Sequence, residues 1–308
     1  MLKTLNRPDP ILVKDQLQAM KVMATAYPVE FLMQFLFWIL PKEKCTRADG
    51  TQVFLVPFHY NRIQRFLETH IKRRNLHLKP RQVGGTTWFS LRRLLYPALI
   101  NPGTGAILIS QSNDYVEKHF MIIRRAHRLL GCVDPFNKEA NTLSDSLRAN
   151  LFHTTASNRR ELIFDQLESR VMVESAEVVE AGQGVTLHAI LADEYSRWPH
   201  NPEETLSNVQ GALVKDGTLD KNCTANGAVG PFYEDCLRAM NKPDESDATF
   251  HYFSWWWDDE YKISLTEQQK DELEADLTAE ELHIIRKIHS ELNDIAWTGP
   301  AQNMAFVA

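Results

Sequence analysis

The chain has 308 residues, 44% hydrophobic and 24% charged, which suits a globular protein with one large core, or one core plus small accessories. Its 34 basic and 40 acidic side chains give a net charge of −6, so the protein as a whole is no basic nucleic-acid sponge; any DNA contact must come from a local patch or from partners. Cys45, Cys132, Cys223 and Cys236 form no CxxC pair and no ligand-like spacing with histidine, which argues against a disulfide or zinc framework and for reduced thiols in a cytosolic protein.

Residues 11–40 read as helical, broken by Pro28 and stopped by Pro41. The apolar run Phe31–Leu40 is about half the length needed to span a bilayer and is internal, so a buried helix is expected and no membrane role. A polar turn over 45–52 and the short apolar run VFLVPF lead to a helix over 61–74, opened by Asn61. LHLKP (76–80) reads as a strand, RQVGGTT as a turn, and WFSLRRLLYPALI as a helix. The strand AILIS (106–110) precedes an amphipathic helix from Asn113 to Gly131. RVMVE (170–174) and HAILADE (188–194) are strand-like, with Gly182 and Gly184 in the loop between; LDKNCTANG (219–227) and ATFHYFSWW (248–256) supply two more. This alternation predicts an α/β fold with a mainly parallel central sheet flanked by helices. Residues 264–293 are charged, helix-favouring and poor in apolar surface, as an exposed helical linker would be.

The segment Lys79–Thr87 (KPRQVGGTT) carries the first chemical signal. A phosphate-binding loop sets backbone N–H groups, a lysine and a Ser/Thr hydroxyl around a phosphate tail at a helix N-terminus. Against the pattern G-x-x-x-x-G-K-[ST], Gly84 matches the second glycine and Thr86 the magnesium-binding hydroxyl, whereas Lys79 replaces the first glycine and Gly85 the lysine. Taken alone, the segment reads equally as a Gly-Gly turn between strand and helix. Lys79 or Arg81 would supply the missing cation, and Arg81 could neutralise charge on the γ-phosphate as an arginine finger in cis does.

The second signal is AILADE (189–194), an apolar strand ending in two acids. In a nucleotide hydrolase Asp193 would hold Mg²⁺ and Glu194 would polarise the attacking water; the plain alternative is a strand ending in a solvated acidic turn. Loop and acids fall in the right order, roughly a hundred residues apart, each at the end of a strand, and together are far more specific than either alone. Thr224, Ala225 and Asn226, in CTANG, end a further strand where small polar residues could sense the γ-phosphate; by themselves they are simply a good turn.

KPRQVGGTT, GQGVTLHAILADEYSRWP, CTANGAVGPFYEDCLRA and FSWWWDDEY together resemble the large terminase subunits of tailed bacteriophages, over residues 50 to 262. The resemblance implies an ASCE-type P-loop ATPase core at 51–262, an N-terminal helical segment at 1–50 and a charged linker and tail at 263–308. It implies that Gln64 contacts adenine, that Lys79, Pro80, Arg81, Gln82, Val83, Gly84, Gly85, Thr86 and Thr87 cradle the phosphates of ATP, and that Thr86 and Asp193 hold Mg²⁺. Glu194 would then be the catalytic carboxylate, aided by Arg81 and Lys79, with Thr224–Asn226 as the coupling segment. Some members of that family place the loop lysine at the loop's start. The implied partners are double-stranded viral DNA, a portal protein, a terminase small subunit and further copies in a ring on the procapsid, in the host cytoplasm. Such subunits continue into a nuclease domain; the acids of 267–281 sit on a predicted helix, not at strand ends, so no nuclease activity is expected of this chain. Another helicase-like DNA-dependent ATPase, or a degenerate nucleotide-binding assembly protein, are the rival readings.

Between Arg62 and Arg128 basic residues greatly outnumber acids, either as a DNA-facing strip or as ordinary solvated helix faces. Trp255–Trp257 are expected to pack beside a sheet edge rather than to stack bases, and His59, His77 and His188 lack metal-ligand spacing.

Overall fold

Asp9 opens the first helix, its carboxylate accepting from the N–H groups of Ile11 and Leu12 while Pro10 takes the first helical position, where no N–H is needed. The computed structural model describes residues 8–41, 45–46, 50–137, 139–157, 160–178, 184–258 and 264–294. Helix α1 (Pro10–Ala26) ends before Pro28, and α2 (Val29–Leu36) stops short of the expected Pro41. The chain is already extended at Phe37, because β1 (Trp38–Ile39) pairs antiparallel with β4 (Val56–Pro57) and the Trp38 indole donates to the Cys132 carbonyl at 2.8 Å. The apolar run therefore folds as helix and then strand, buried at Leu32, Met33, Leu36, Phe37 and Trp38, with Phe31 and Leu40 exposed at its ends. Between these elements β2 (Cys45–Thr46) pairs with β3 (Gln52–Val53); residues 47–49 of the predicted turn lie outside the described residues, as do Gly182, Asp259–Tyr261 and the segment 296–308.

Helix α3 (Arg62–His70) carries a reciprocal cap: the Asn61 side chain accepts from the Gln64 N–H and the Gln64 side chain from the Asn61 N–H. It is shorter than expected, since Arg74 already begins β5 (Arg74–Leu78). The main sheet has eight strands in the order β12-β5-β11-β10-β6-β9-β8-β7. It comprises β6 (Gly105–Ser110), β7 (Thr154–Ser157), β8 (Glu161–Phe164), β9 (Ser169–Ser175), β10 (Leu187–Asp193), β11 (Leu213–Cys223) and β12 (Thr249–Tyr252), besides β5. Pairing is parallel from β12 through β9 and antiparallel beyond, across β8 and β7. The hairpin β7–β8 and the helix α7 (Thr142–Ala149) have no counterpart in the sequence reading, where four-residue strands give too little periodicity to see.

Alternation along the central strands divides the core between the two faces. Ala106, Leu108, Ala189 and Leu191 face a cluster that includes Met20, Leu32, Met33, Leu36 and Phe37, so the N-terminal segment is continuous with the core of the sheet. Ile107, Ile109, Ile190 and Ala192 face the other cluster, with Tyr195, Trp198, Leu206 from α8 (Pro202–Gln210) and Phe232 from α9 (Pro231–Asn241). Helix α6 (Asn113–Arg128) packs beside β6 and β9. The tail forms α10 (Glu267–Asp276) and α11 (Ala279–Asp294). Among the described residues no helix is long and apolar enough to cross a membrane.

The decisive feature is β11, inserted between β5 and β10. It sets Cys223 beside Leu78 and Asn222 beside Asp193, so that three strands end together at the carboxyl edge.

Candidate active site

The turn after β5 climbs from Lys79, whose N–H is fixed to the Cys223 carbonyl at 3.0 Å, over an exposed crest at Arg81 and Gln82, and descends into a helix at Gly85. Two residues on this path have left-handed backbone: Gln82 at φ 60 and Gly84 at φ 70. Helix α4 (Gly85–Trp88) begins at Gly84 and passes into a π-helical stretch, Phe89–Leu95, in which the Tyr96 N–H reaches back to the Leu91 carbonyl. Helix α5 (Tyr96–Ile100) completes what the sequence reads as one helix; Pro97, lacking an N–H, lies at that junction.

The loop is braced from beneath. The Asn61 amide donates to the Val83 carbonyl and the Gln64 amide to the Gly84 carbonyl, each at 3.0 Å. Gln64 is buried, and both ends of its side chain are engaged, one in the cap of α3 and one on the loop. In this state it supports the loop, and it would have to release a bond to meet an adenine.

The unusual placement of lysine has a physical explanation. A Cβ of ordinary geometry added at Gly85 would lie 3.1 Å from Lys79 Cδ and 3.7 Å from Cε. The Lys79 stem thus runs against the bare backbone of Gly85, and the cation reaches the site from the loop's start where the usual pattern brings it from the end. Lys79 is 9% exposed and its Nζ lies 3.3 Å from Glu194 Oε1.

Asp193 and Glu194 leave β10 in different directions. Asp193 is 1% exposed; its Oδ1 accepts from the Thr86 hydroxyl at 3.4 Å, and its Oδ2 lies 3.1 Å from His119 Nε2, within ion-pair range but without hydrogen-bond geometry. Burial alone would raise the Asp193 carboxyl, but His119 and the Lys79 charge outweigh it and hold it below the usual carboxylate range. Glu194 has φ 51 and ψ 42, a left-handed conformation rare for a side chain of this kind and found where function constrains backbone. That turn aims its carboxylate across to β11: Oε1 accepts from the Thr224 hydroxyl at 2.9 Å, Oε2 from the Thr224 N–H at 3.3 Å, and Arg197 Nε lies 3.4 Å from Oε2.

Of the predicted site residues, the structure therefore gathers Lys79, Thr86, Asp193, Glu194 and Thr224. Ala225 and Asn226 sit in an exposed turn, where the Asn226 amide donates to the Ser196 carbonyl at 3.3 Å. Sequence reading missed His119, Arg197 and Asn222. Arg197 was within reach, three residues after Glu194, but nothing local marks His119 on α6 as a neighbour of Asp193.

The fit to a metal–phosphate group rests on unsatisfied polar atoms. Ser110 Oγ, Gln111 Oε1 and both amide atoms of Asn222, at or beside the strand ends flanking Asp193, are buried without a protein hydrogen-bond partner. Buried polar groups are seldom left so, which favours a polar occupant at this edge. The oxygens of Thr86 and Asp193 suit a hard cation such as Mg²⁺.

No protein-family model and no curated protein matches the sequence. Among solved structures, the ATPase domain of the Thermus phage P74-26 large terminase aligns with 65% of this chain and 82% of its own at 19% identity, with a TM-score of 0.47. The HK97 bacteriophage large terminase aligns with 72% of this chain at 13% identity and a TM-score of 0.49, and the Pyrococcus furiosus Hef helicase domain with 67% at 14% and 0.41. This chain covers 43% and 41% of the length of those two.

Proposed function

We propose that the chain is an Mg²⁺-dependent ATPase, the motor domain of a terminase-like enzyme that drives double-stranded viral DNA into a procapsid. The observation that carries the ATPase reading is the double meeting of loop and acids: Thr86 on Asp193 at 3.4 Å and Lys79 on Glu194 at 3.3 Å, from segments far apart in sequence. Packaging, and with it the portal, small-subunit and ring partners, is supported by the ordered motifs of the sequence.

Thr86 and Asp193 would hold the magnesium ion, which when bound neutralises phosphate charge. The amides around Gly84, Gly85 and Thr86 would cradle the phosphates at the helix N-terminus. Lys79, now paired with Glu194, would turn to the phosphate oxygens, leaving Glu194 Oε1 held only by the Thr224 hydroxyl and able to take the proton of the attacking water. Thr224, bonded to Glu194 through hydroxyl and N–H, would feel that change directly and pass it into the segment ending at Asn226. Arg197 would keep the carboxylate oriented, and Arg81 at the crest would meet the outer phosphate.

The test is ATP turnover by the purified chain with Mg²⁺, beside Glu194→Gln and Lys79→Ala. We expect Glu194→Gln to lower kcat at least ~100-fold, the usual scale for a lost general base, while nucleotide binding persists. Lys79→Ala should weaken binding and turnover together. Unchanged turnover in Glu194→Gln would remove the catalytic assignment; binding without any turnover in the wild type would favour the degenerate assembly protein.

A further inference from the structure

The basic residues between Arg62 and Arg128 do not form one strip. Arg65 pairs with Glu30, Arg73 with Asp216, Arg74 with Asp247, Arg92 with Glu68 and Arg93 with Asp220. Much of the arginine charge ahead of α6 is thus paired within the fold. The C-terminal half of α6 differs: there Arg125 and Arg128 have no acidic partner among the described residues and Arg124 lies over the Phe120 ring at 5.9 Å. These three line an open cleft of about 480 Å³ with Met121, His127 and Arg148. Arg148 forms the far wall, tied by hydrogen bonds to Leu130, Ser144 and Asp145, so the nearest acid is already taken. Burial, and next the Arg128 charge, pull the Arg125 guanidinium below its usual range, as crowding of like charges does. In a chain of net charge −6, such a concentration needs an anion to offset it.

We propose that this cleft is a docking face for the phosphate backbone of duplex DNA, with Arg124, Arg125 and Arg128 as its contacts. Arg124 and Arg128 stand one helical turn apart, about 6 Å along the axis, so successive cations meet successive charges of a linear polyanion rather than one small ion. Guanidinium groups fit phosphate oxygens in paired hydrogen bonds. The lining includes no Phe, Tyr or Trp on which a base could stack, and its His127 ring is engaged by the Phe152 carbonyl and the Phe164 ring, which favours duplex backbone over single strands. The same helix carries His119 to within 3.1 Å of Asp193, so the face and the nucleotide site share one rigid element. The charge pattern stands whether or not the chain hydrolyses ATP, and binding is therefore measured without nucleotide.

The experiment is fluorescence anisotropy with a labelled 20-base-pair duplex across a salt series, using the whole chain. Arg124→Glu/Arg128→Glu changes two exposed positions and should leave the melting temperature unaltered while lowering affinity at least ~10-fold. It should also make the slope of log K against log salt shallower by about 2. Arg73→Ala/Arg74→Ala, which removes two positive charges elsewhere, should change affinity less than ~2-fold. Equal losses in the two double variants, or no salt-dependent binding by the wild type, would overturn the proposal. So would tighter binding of single strands, or a peptide of residues 264–294 occupying the face in preference to the duplex, which would assign it to the acidic helices of a second copy.

Discussion

Glu194 and Gly84 solve the same problem in opposite ways. Both need left-handed backbone, at φ 51 and φ 70, to turn a strand end or a loop end toward the candidate site. At Gly84 no side chain resists; at Glu194 the strain is held by four contacts on its carboxylate from Lys79, Thr224 and Arg197, and the side chain is the one the proposed chemistry requires. A Cβ at Gly84 would lie 2.9 Å from the Gln64 amide nitrogen, the group that braces the loop. Gly84→Ala is therefore expected to cost about 1–3 kcal/mol, from the positive φ and from displacement of Gln64. Thermal melts beside Gln64→Ala/Gly84→Ala would check this: removing the Gln64 side chain should recover only part of the loss, since the backbone strain remains. Complete recovery would show that the contact alone matters. The glycine pair was legible in the sequence as a turn, but why lysine stands at 79 was not, because the contact between Lys79 and Gly85 is made across the loop.

At the scale of elements, β5, β11 and β12 are bound by a buried polar cluster behind the loop. Asp220 on β11 accepts from Arg93 at 2.8 Å and Asn75 at 2.7 Å, with His77 at 3.4 Å; His77 stacks on His251 of β12 with ring centroids 5.0 Å apart. Burial would raise the Asp220 carboxyl, but Arg93 and His77 hold it below its usual range. Burial, and then His77, lower His251 to about 3, and burial lowers His77 in the same direction. An unfolded chain takes up a proton on histidine near pH 6.5, while folded His251 does so only near pH 3. Between those values the unfolded state binds more protons, so stability present above pH 6.5 is lost as pH falls, by up to about 2 kcal/mol for one such histidine at pH 5. Denaturant melts at pH 7 and pH 5 should show a smaller loss in His251→Gln than in the wild type; equal losses would remove His251 from the account. The strands themselves were visible as apolar runs, but their order was not, since parallel strands read alike whichever neighbour they take.

For the whole molecule, the N-terminal segment is not a separable accessory. Met20, Leu32, Met33, Leu36 and Phe37 are buried in the same cluster as the sheet residues Leu108 and Leu191. Deleting residues 1–40 would expose that face, with each large apolar side chain worth about 1.5–3 kcal/mol on burial. We expect the shortened chain to be unfolded or aggregated by circular dichroism and gel filtration; a cooperative, monomeric melt would show the segment to be dispensable.

What depends on near neighbours along the chain was readable before folding. The helix start at Asn61, the chain break at Pro28, the glycine turn before α4, the apolar strand ending in two acids and the order of these signals all follow from local sterics, capping and periodicity. What depends on neighbours in space came with the folded chain. By inserting β11 between β5 and β10, the fold brings Thr86 to Asp193, Lys79 to Glu194 and Thr224 to Glu194. By packing α6 against the sheet, it delivers His119 to the same carboxylate. It also chose which arginines are neutralised and which are left to face outward, because a charge is paired by distance in the folded chain and not by distance along it.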